Sequence, residues 1–195
     1  MKRVREERDR FVGFVVEDVE GWPANHRIKG YAKFLSDHRL QIGDGTEIEA
    51  GRVIIATGSR PNIIPPLRDF ADRLIINDDI FNWQTLPKSV AVFGAGVIGL
   101  ELGQALHRLG VRVTLFGRDH LVGPLTDPQV ITKATEIFSE EFDFYPHAEV
   151  TRRSVTDDGV EIEYIHDGKT KVESFEYALA ATGRIPNLDK LGLEN

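Results

Sequence analysis

Between residues 89 and 116 the sequence runs strand, glycine turn, helix, strand, and very few folds accommodate that order. Residues 89–93 are an apolar run, Gly94-Ala95-Gly96-Val97-Ile98-Gly99 follows at once, 100–109 carries apolar residues at helical spacing, and 111–116 is apolar again. This is a βαβ unit, which makes the chain an α/β protein built on a parallel sheet. Each glycine of the turn has its own physical task. The first permits a tight exit from the strand, the second lets a pyrophosphate approach the backbone, and the third allows helix and strand to pack closely. Phosphates would then lie at the positive end of the helix. Gly94, Ala95, Gly96, Val97, Ile98 and Gly99 are therefore the candidate nucleotide-binding residues. Gly103 and Gly110 extend the same close-packed helix.

The end of the second strand should report which nicotinamide dinucleotide is preferred, because an acid there, about 20 residues past the glycines, accepts from the ribose 2′-hydroxyl of NAD. Here the chain reads Phe116-Gly117-Arg118-Asp119-His120. Gly117 stands where the acid is expected and Arg118 follows. An arginine at this place can pair with the 2′-phosphate of NADP, with His120 assisting when protonated. Two other readings stand beside it: Asp119 turned inward as a displaced acid for NAD, or Arg118 as a solvated surface charge.

Around this unit the pattern is mixed. A polar helix with charge pairs at helical spacing, such as Glu6 with Arg10, is expected at the N-terminus, followed by an apolar stretch over 11–19 that Gly21-Trp22-Pro23 breaks. Strands are expected at 26–35 and 39–42, joined by Ser36-Asp37-His38, with Gly43-Asp44-Gly45 turning the chain again. Residues 52–58 are almost purely apolar and read as a strand buried on both faces. Prolines 61, 65, 66 and 87 frame a loop-rich crossing. Asp127 and Pro128 start a second helix that runs to about 142. Strands at 150–155, 160–165 and 171–175 are joined at Asp158-Gly159 and Asp167-Gly168 into an antiparallel meander, and 177–182 is a last apolar strand. Two strands end alike, one in Ala56-Thr57-Gly58-Ser59-Arg60-Pro61-Asn62 and the other in Ala181-Thr182-Gly183-Arg184-Ile185-Pro186-Asn187.

Composition removes several classes of function. A net charge of −7 with no basic cluster excludes a nucleic-acid footprint. With no cysteine, the chain has no thiol chemistry, disulfide or zinc cluster of its own. Its six histidines show no metal-ligand spacing, so no metal is expected. No serine sits in a GxSxG elbow. No stretch is apolar enough for a membrane span and no signal peptide is read, so the expectation is a soluble, cytoplasmic protein.

The two Ala-Thr-Gly motifs, bracketing Gly94 through Glu101-Leu102-Gly103, resemble those of the class I pyridine nucleotide-disulfide oxidoreductases. Within that family, Val97-Ile98-Gly99-Leu100-Glu101-Leu102-Gly103 is most similar to the dihydrolipoamide dehydrogenase branch. The resemblance covers nearly the whole chain but only the middle of such an enzyme. It has no counterpart here for the FAD-binding GxGxxG, the cysteine pair or the dimerisation domain with its histidine and glutamate. The implied architecture is a Rossmann-like FAD/NAD(P)-binding fold with a parallel βαβ core and an antiparallel meander, plus a partial β segment of an FAD domain. Implied domains are 1–66 as part of the FAD domain, 67–87 as a connection, 88–187 as the NAD(P) domain and 188–195 as the start of the return. The resemblance also implies NAD(P) and, in a full-length parent, FAD and a homodimer passing electrons between NAD(P)H, flavin and a dithiol or disulfide. Thr57 and Gly58 would lie on the flavin side, and Gly183 beside the nicotinamide dinucleotide. A glutamate at the position of Glu101 pairs in such enzymes with a lysine near the flavin N5, a lysine without counterpart here. Val97 stands where glutathione reductases carry a gating tyrosine, whereas Gly117-Arg118 is closer to NADPH-using reductases than to the glutamate usual in the dehydrogenases. A stand-alone nucleotide-binding or redox-sensing module is the alternative from another class. A simple two-substrate dehydrogenase would need a catalytic acid or base that the sequence does not offer.

Overall fold

The computed structural model describes residues 1–194; Asn195, the end of the expected return segment, lies outside the described residues. In chain order the elements are α1 (Lys2–Glu20), β1 (Ala32–Ser36), β2 (Arg39–Ile42), β3 (Thr46–Glu49), β4 (Ser59–Pro61), β5 (Leu74–Ile75), α2 (Asn77–Ile80), β6 (Ser89–Phe93), α3 (Val97–Arg108), β7 (Arg112–Phe116), α4 (Pro128–Glu141), β8 (Asp143–Tyr145), β9 (Glu149–Thr156), β10 (Gly159–His166), β11 (Lys169–Phe175), β12 (Tyr177–Ala180) and β13 (Arg184–Pro186). They divide into two compact units, residues 61–184 and residues 3–60 with the chain from 185 on.

In the larger unit five parallel strands lie in the order β5-β12-β6-β7-β8. All five residues of the central β6 are buried, because each face of the sheet is covered by a different layer. Val90 and Val92 point to a cluster with Leu100 and Leu106 of α3, and Phe138 of α4 packs against the same cluster. Ala91 and Phe93 point the other way, to Val160, Ile162, Tyr164 and Phe175 of the antiparallel β9-β10-β11 meander. Residues 67–87, expected as a connection, carry most of a 3-10 stretch (Pro65–Arg73) along with β5 and α2, and Leu67 and Phe70 are fully buried in that second cluster. The Asp127 side chain accepts from the backbone N–H groups of Gln129 and Val130, capping α4 as its sequence anticipates.

Chain direction reverses at β6. The path moves outward through β7 and β8, then returns to place β12 on the other side of β6. In open α/β sheets, ligands settle in the crevice that opens at the carboxyl ends of strands at such a reversal.

The helix that opens from the glycine turn is tied down at its far end. Glu141 of α4 accepts from Arg108 Nε at 2.6 Å and from Gln104 Nε2 at 2.7 Å. These bonds, Arg108 first, hold the Glu141 carboxyl below the usual carboxylate range. An acid with a depressed folded-state value contributes stability above its unfolded value and loses it as pH falls through the folded one. Glu141→Gln should therefore unfold at lower urea than the parent chain at pH 7, with the gap closing below about pH 4. A gap that persists at low pH would refute the charged tether.

The smaller unit holds α1 and the antiparallel sheet β1-β2-β3, whose two turns fall where the sequence places them. α1 runs unbroken to Glu20, so the apolar stretch over 11–19 continues the helix rather than following it. Its Phe11, Val12, Val15, Val16 and Val19 recur at helical spacing. Arg10 pairs with Glu7, one turn back.

Residues 52–58 are not a strand. They join no ladder among the described residues, and Ile54 is 91% exposed. A doubly buried strand needs neighbours on its edges and cover on both faces, and this segment has neither within its unit. Its end is fixed instead by side chains. Thr57 Oγ1 donates to the Asn187 carbonyl at 2.8 Å, the Asn187 backbone N–H donates to the Gly58 carbonyl at 3.0 Å, and Asn187 Nδ2 donates to the Thr57 carbonyl at 3.1 Å.

Candidate nucleotide site

A cavity of about 460 Å³ opens at the carboxyl ends of β6, β7 and β12, within the larger unit. Gly94, Ala95 and Gly96 form one wall, Gly117 and Arg118 a second, and Ala181, Thr182 and Gly183 a third. Phe93, Phe116, Leu67 and Val150 supply apolar surface. The cavity therefore sits at the direction reversal and joins Gly94, Ala95, Gly96, Gly117, Arg118 and Gly183.

The three turn glycines meet different surroundings. Gly94 has φ +113°, and a Cβ on it would stand 2.3 Å from the Ala181 carbonyl oxygen. A Cβ on Gly99 would stand 1.9 Å from the Gly94 carbonyl oxygen. Around Gly96 nothing lies within 4 Å of that position. Gly96 is extended (φ −73°, ψ −179°) and caps α3, leaving its side toward the cavity free for a ligand to approach the backbone. The Gly94 N–H donates to the Phe116 carbonyl at 2.9 Å and the Gly123 N–H donates to the Ala95 carbonyl at 2.7 Å, which fixes the turn. Val97, Ile98 and Gly99 form the first turn of α3 and do not line the cavity.

Gly117 has a packing reason as well. A Cβ there would stand 2.8 Å from the Pro146 carbonyl oxygen, and the Gly117 N–H donates to the Tyr145 carbonyl at 2.7 Å. An acid at this position would collide with the chain leaving β8. Beyond it, the Arg118 side chain is 87% exposed at the rim, its Nε 2.9 Å from Asp119 Oδ2. Asp119 and His120 both have φ near +60°, strained for residues with a Cβ. The His120 ring stacks on His147 with centroids 4.7 Å apart. Asp119 lies outside the lining of the cavity.

The second Ala-Thr-Gly motif is built into the site. Thr182 Oγ1 donates to the Asn62 carbonyl at 2.5 Å, and the Asn62 N–H donates to the Gly183 carbonyl at 2.9 Å. This reproduces two of the bonds that Thr57 and Gly58 make with Asn187 in the other unit: each threonine hydroxyl holds the closing asparagine of the other motif. The near-repeat in the sequence is thus one hydrogen-bond pattern made twice. Thr57 and Gly58 line no part of this cavity. Glu101 is the fifth residue of α3, exposed and past the first turn, where the helix dipole has largely faded.

Residues 16–195 match the sequence pattern of the pyridine nucleotide-disulphide oxidoreductases. The chain belongs to that family. Among its relatives, a dihydrolipoyl dehydrogenase of Staphylococcus aureus is 33% identical over 207 residues, covering 99% of this chain and 42% of the relative. The HOCl-induced flavoprotein disulfide reductase RclA of Escherichia coli has the same fold, with a TM-score of 0.78 at 24% identity over 98% of this chain and 45% of RclA. LpdA of Mycobacterium tuberculosis follows at a TM-score of 0.70 and 29% identity, over 86% of this chain and 38% of LpdA. This chain thus spans less than half the length of these oxidoreductases. The parallel sheet and the antiparallel meander belong to the fold that this chain shares with that flavoprotein disulfide reductase. Among the described residues no helix is long and apolar enough to cross a membrane, and no cluster of three acids or histidines is placed to hold a metal.

Sequence reasoning missed several lining residues. Phe116 and Val150 carry no motif, and Asn62 could have been found only through the repeat it shares with Asn187. Arg153 also lines the cavity, on a strand where the alternation in sequence gives no sign of it.

Proposed function

We propose that residues 61–184 bind a nicotinamide dinucleotide and that the chain is the nucleotide-binding part of an FAD-dependent NAD(P)H:disulfide oxidoreductase of the dihydrolipoamide dehydrogenase type. The observation that carries this is the cavity at the reversal of the parallel sheet, with Gly96 open toward it at the N-terminus of α3. The pyrophosphate would rest on the Gly94–Gly96 backbone and the first-turn N–H groups of α3, with Val97 and Ile98 shaping that turn. The adenosine end would lie by Gly117, Arg118 and Val150, and the nicotinamide end by Gly183. A bound NAD(P)H supplies the hydride; the protein's part is to hold it, while Thr57, Gly58 and Glu101 are assigned to the flavin side of the parent enzyme.

Residues 1–60 and the chain from 185 on belong, in this reading, to an FAD domain. The parent would pass electrons to a dithiol or disulfide as a homodimer in the cytoplasm. This chain alone, with no cysteine to exchange, should bind nucleotide without dithiol turnover. NADPH is the expected preference, since Gly117 leaves no acid at the strand end and Arg118 is exposed at the rim.

Calorimetric titration with NADH and NADPH tests both levels. NADPH should bind more tightly, and Arg118→Ala should weaken NADPH about tenfold or more while leaving NADH nearly unchanged. Equal binding unaffected by the substitution would make Arg118 a surface charge and remove the NADPH preference. Binding of neither would remove the nucleotide-binding reading.

A further inference from the structure

β9 carries an arginine on its inner face because of a bulge. Opposite β10, Val150 pairs with Tyr164 and Arg152 with Glu163, leaving Thr151 as an extra residue, and Arg153 then pairs with Ile162. Tyr164 and Ile162 are both fully buried on one face of the meander. The extra residue therefore brings Val150 and Arg153, three positions apart, to that same inner face. Arg152 is left outside, paired with Glu161 and Glu163.

Arg153 reaches the cavity wall together with Gly94, Gly96, Asn62 and Thr182. Its Nε is buried and has no hydrogen-bond partner. Burial works against its charge, and Asp69 offsets this only as a charge acting without a hydrogen bond. A guanidinium does not shed its proton to escape such a place, so a positive charge that Asp69 offsets only in part lies at the cavity wall. Two arginines and no carboxylate line that cavity. A buried guanidinium N–H without an acceptor is unfavourable, and an anion in the cavity would supply one.

We propose that Arg153, which lines the same cavity as the glycine turn, is a contact for the pyrophosphate of the bound dinucleotide. The assignment rests on residues 61–184 binding a dinucleotide. It separates the two arginines: Arg118 at the rim reads the 2′-phosphate, and Arg153 within the cavity reads a group common to NADH and NADPH.

The test is titration of the full chain with NADH and NADPH, for the parent and for Arg153→Met and Arg153→Lys, with the thermal midpoint of each nucleotide-free protein. Arg153→Met keeps length and removes charge; it should raise both Kd values about tenfold, leave their ratio unchanged and melt no lower than the parent. Its binding should also fall less steeply with salt, by about one ion's worth. Arg153→Lys should stay within about threefold of the parent; if the methionine variant fails to fold, Arg153→Gln takes its place with the same expected loss for both nucleotides, and parent-like binding by it overturns the contact. Parent-like binding by Arg153→Met would overturn the contact while leaving the nucleotide site standing. Loss confined to NADPH would overturn it too, placing the guanidinium on the 2′-phosphate. If the lysine variant binds as weakly as the methionine one with both folded, charge is not what the site uses, and the proposal falls. Failure of the parent to bind either nucleotide would instead remove the site itself.

Discussion

Gly99→Ala is expected to cost the larger unit about 3 kcal/mol or more and to abolish nucleotide binding with it. The added carbon would stand 1.9 Å from the Gly94 carbonyl oxygen and 3.3 Å from Ala181 Cβ, and the first of these is backbone that no rotamer change can move. α3 would have to lift off β6, undoing the packing of Leu100 and Leu106 on Val90 and Val92 and opening the turn that positions Gly96. Domains of this size are stable by only about 5–15 kcal/mol, so the loss is large. Gly96→Ala is the contrasting case. Its Cβ would meet nothing within 4 Å and its backbone is extended, so the fold should be untouched while the new methyl occupies space meant for ligand. Urea unfolding and calorimetric titration of both variants separate the two effects. If Gly96→Ala binds dinucleotide as the parent does, the pyrophosphate does not rest there. If Gly99→Ala unfolds at the parent's urea midpoint, helix and strand are not held as closely as the geometry requires.

What the sequence disclosed was local. Residues 89–116 could be read because the glycines, the strand period and the helix period all fall within 28 consecutive residues. The caps and hairpins of α4, β9, β10 and β11 were legible for the same reason: Asp127, Asp158-Gly159 and Asp167-Gly168 act on their immediate neighbours. Features that depend on distant chain were not. Gly117 looked like an acid replaced to change ligand preference, yet its Cβ would collide with Pro146, a constraint 29 residues away that no local pattern reveals. Residues 52–58 have the composition of a buried strand because apolar residues record the surroundings a segment suits, while the ladder partner has to be found elsewhere. Arg153 was invisible because strict alternation would put it opposite Val150, and the bulge at Thr151 reverses that. Thr57 and Thr182 belong to a repeat visible in the sequence, but its meaning, two hydroxyls each holding the other motif's asparagine, lies in contacts more than a hundred residues apart.

Phe116→Ala should be the most destabilising of the simple truncations, by about 3–5 kcal/mol, and should weaken nucleotide binding at the same time. The side chain is 3% exposed and its ring meets four others: Tyr164 at 4.9 Å, Phe93 at 5.4 Å, Tyr145 at 6.1 Å and Phe175 at 6.5 Å. These rings come from β6, β8, β10 and β11, so one residue ties the parallel sheet to the meander. Around it the packing cannot close easily. Tyr164 is anchored by its hydroxyl, which burial and the Glu173 carboxylate keep protonated, and Phe93 is held between Phe70 and Phe116. The cavity left by truncation would therefore persist and carry its full cost. Phe116 also lines the nucleotide cavity, and its carbonyl accepts from Gly94, so disorder at the end of β7 would reach the glycine turn and the Gly117-Arg118 rim together. Phe116→Leu fills most of the volume and should cost about 1–1.5 kcal/mol while preserving binding. Urea midpoints at constant m-value, with NADH and NADPH titrations of both variants, check this. A loss below about 1 kcal/mol for Phe116→Ala would mean the rings close over the gap and the two layers are joined elsewhere.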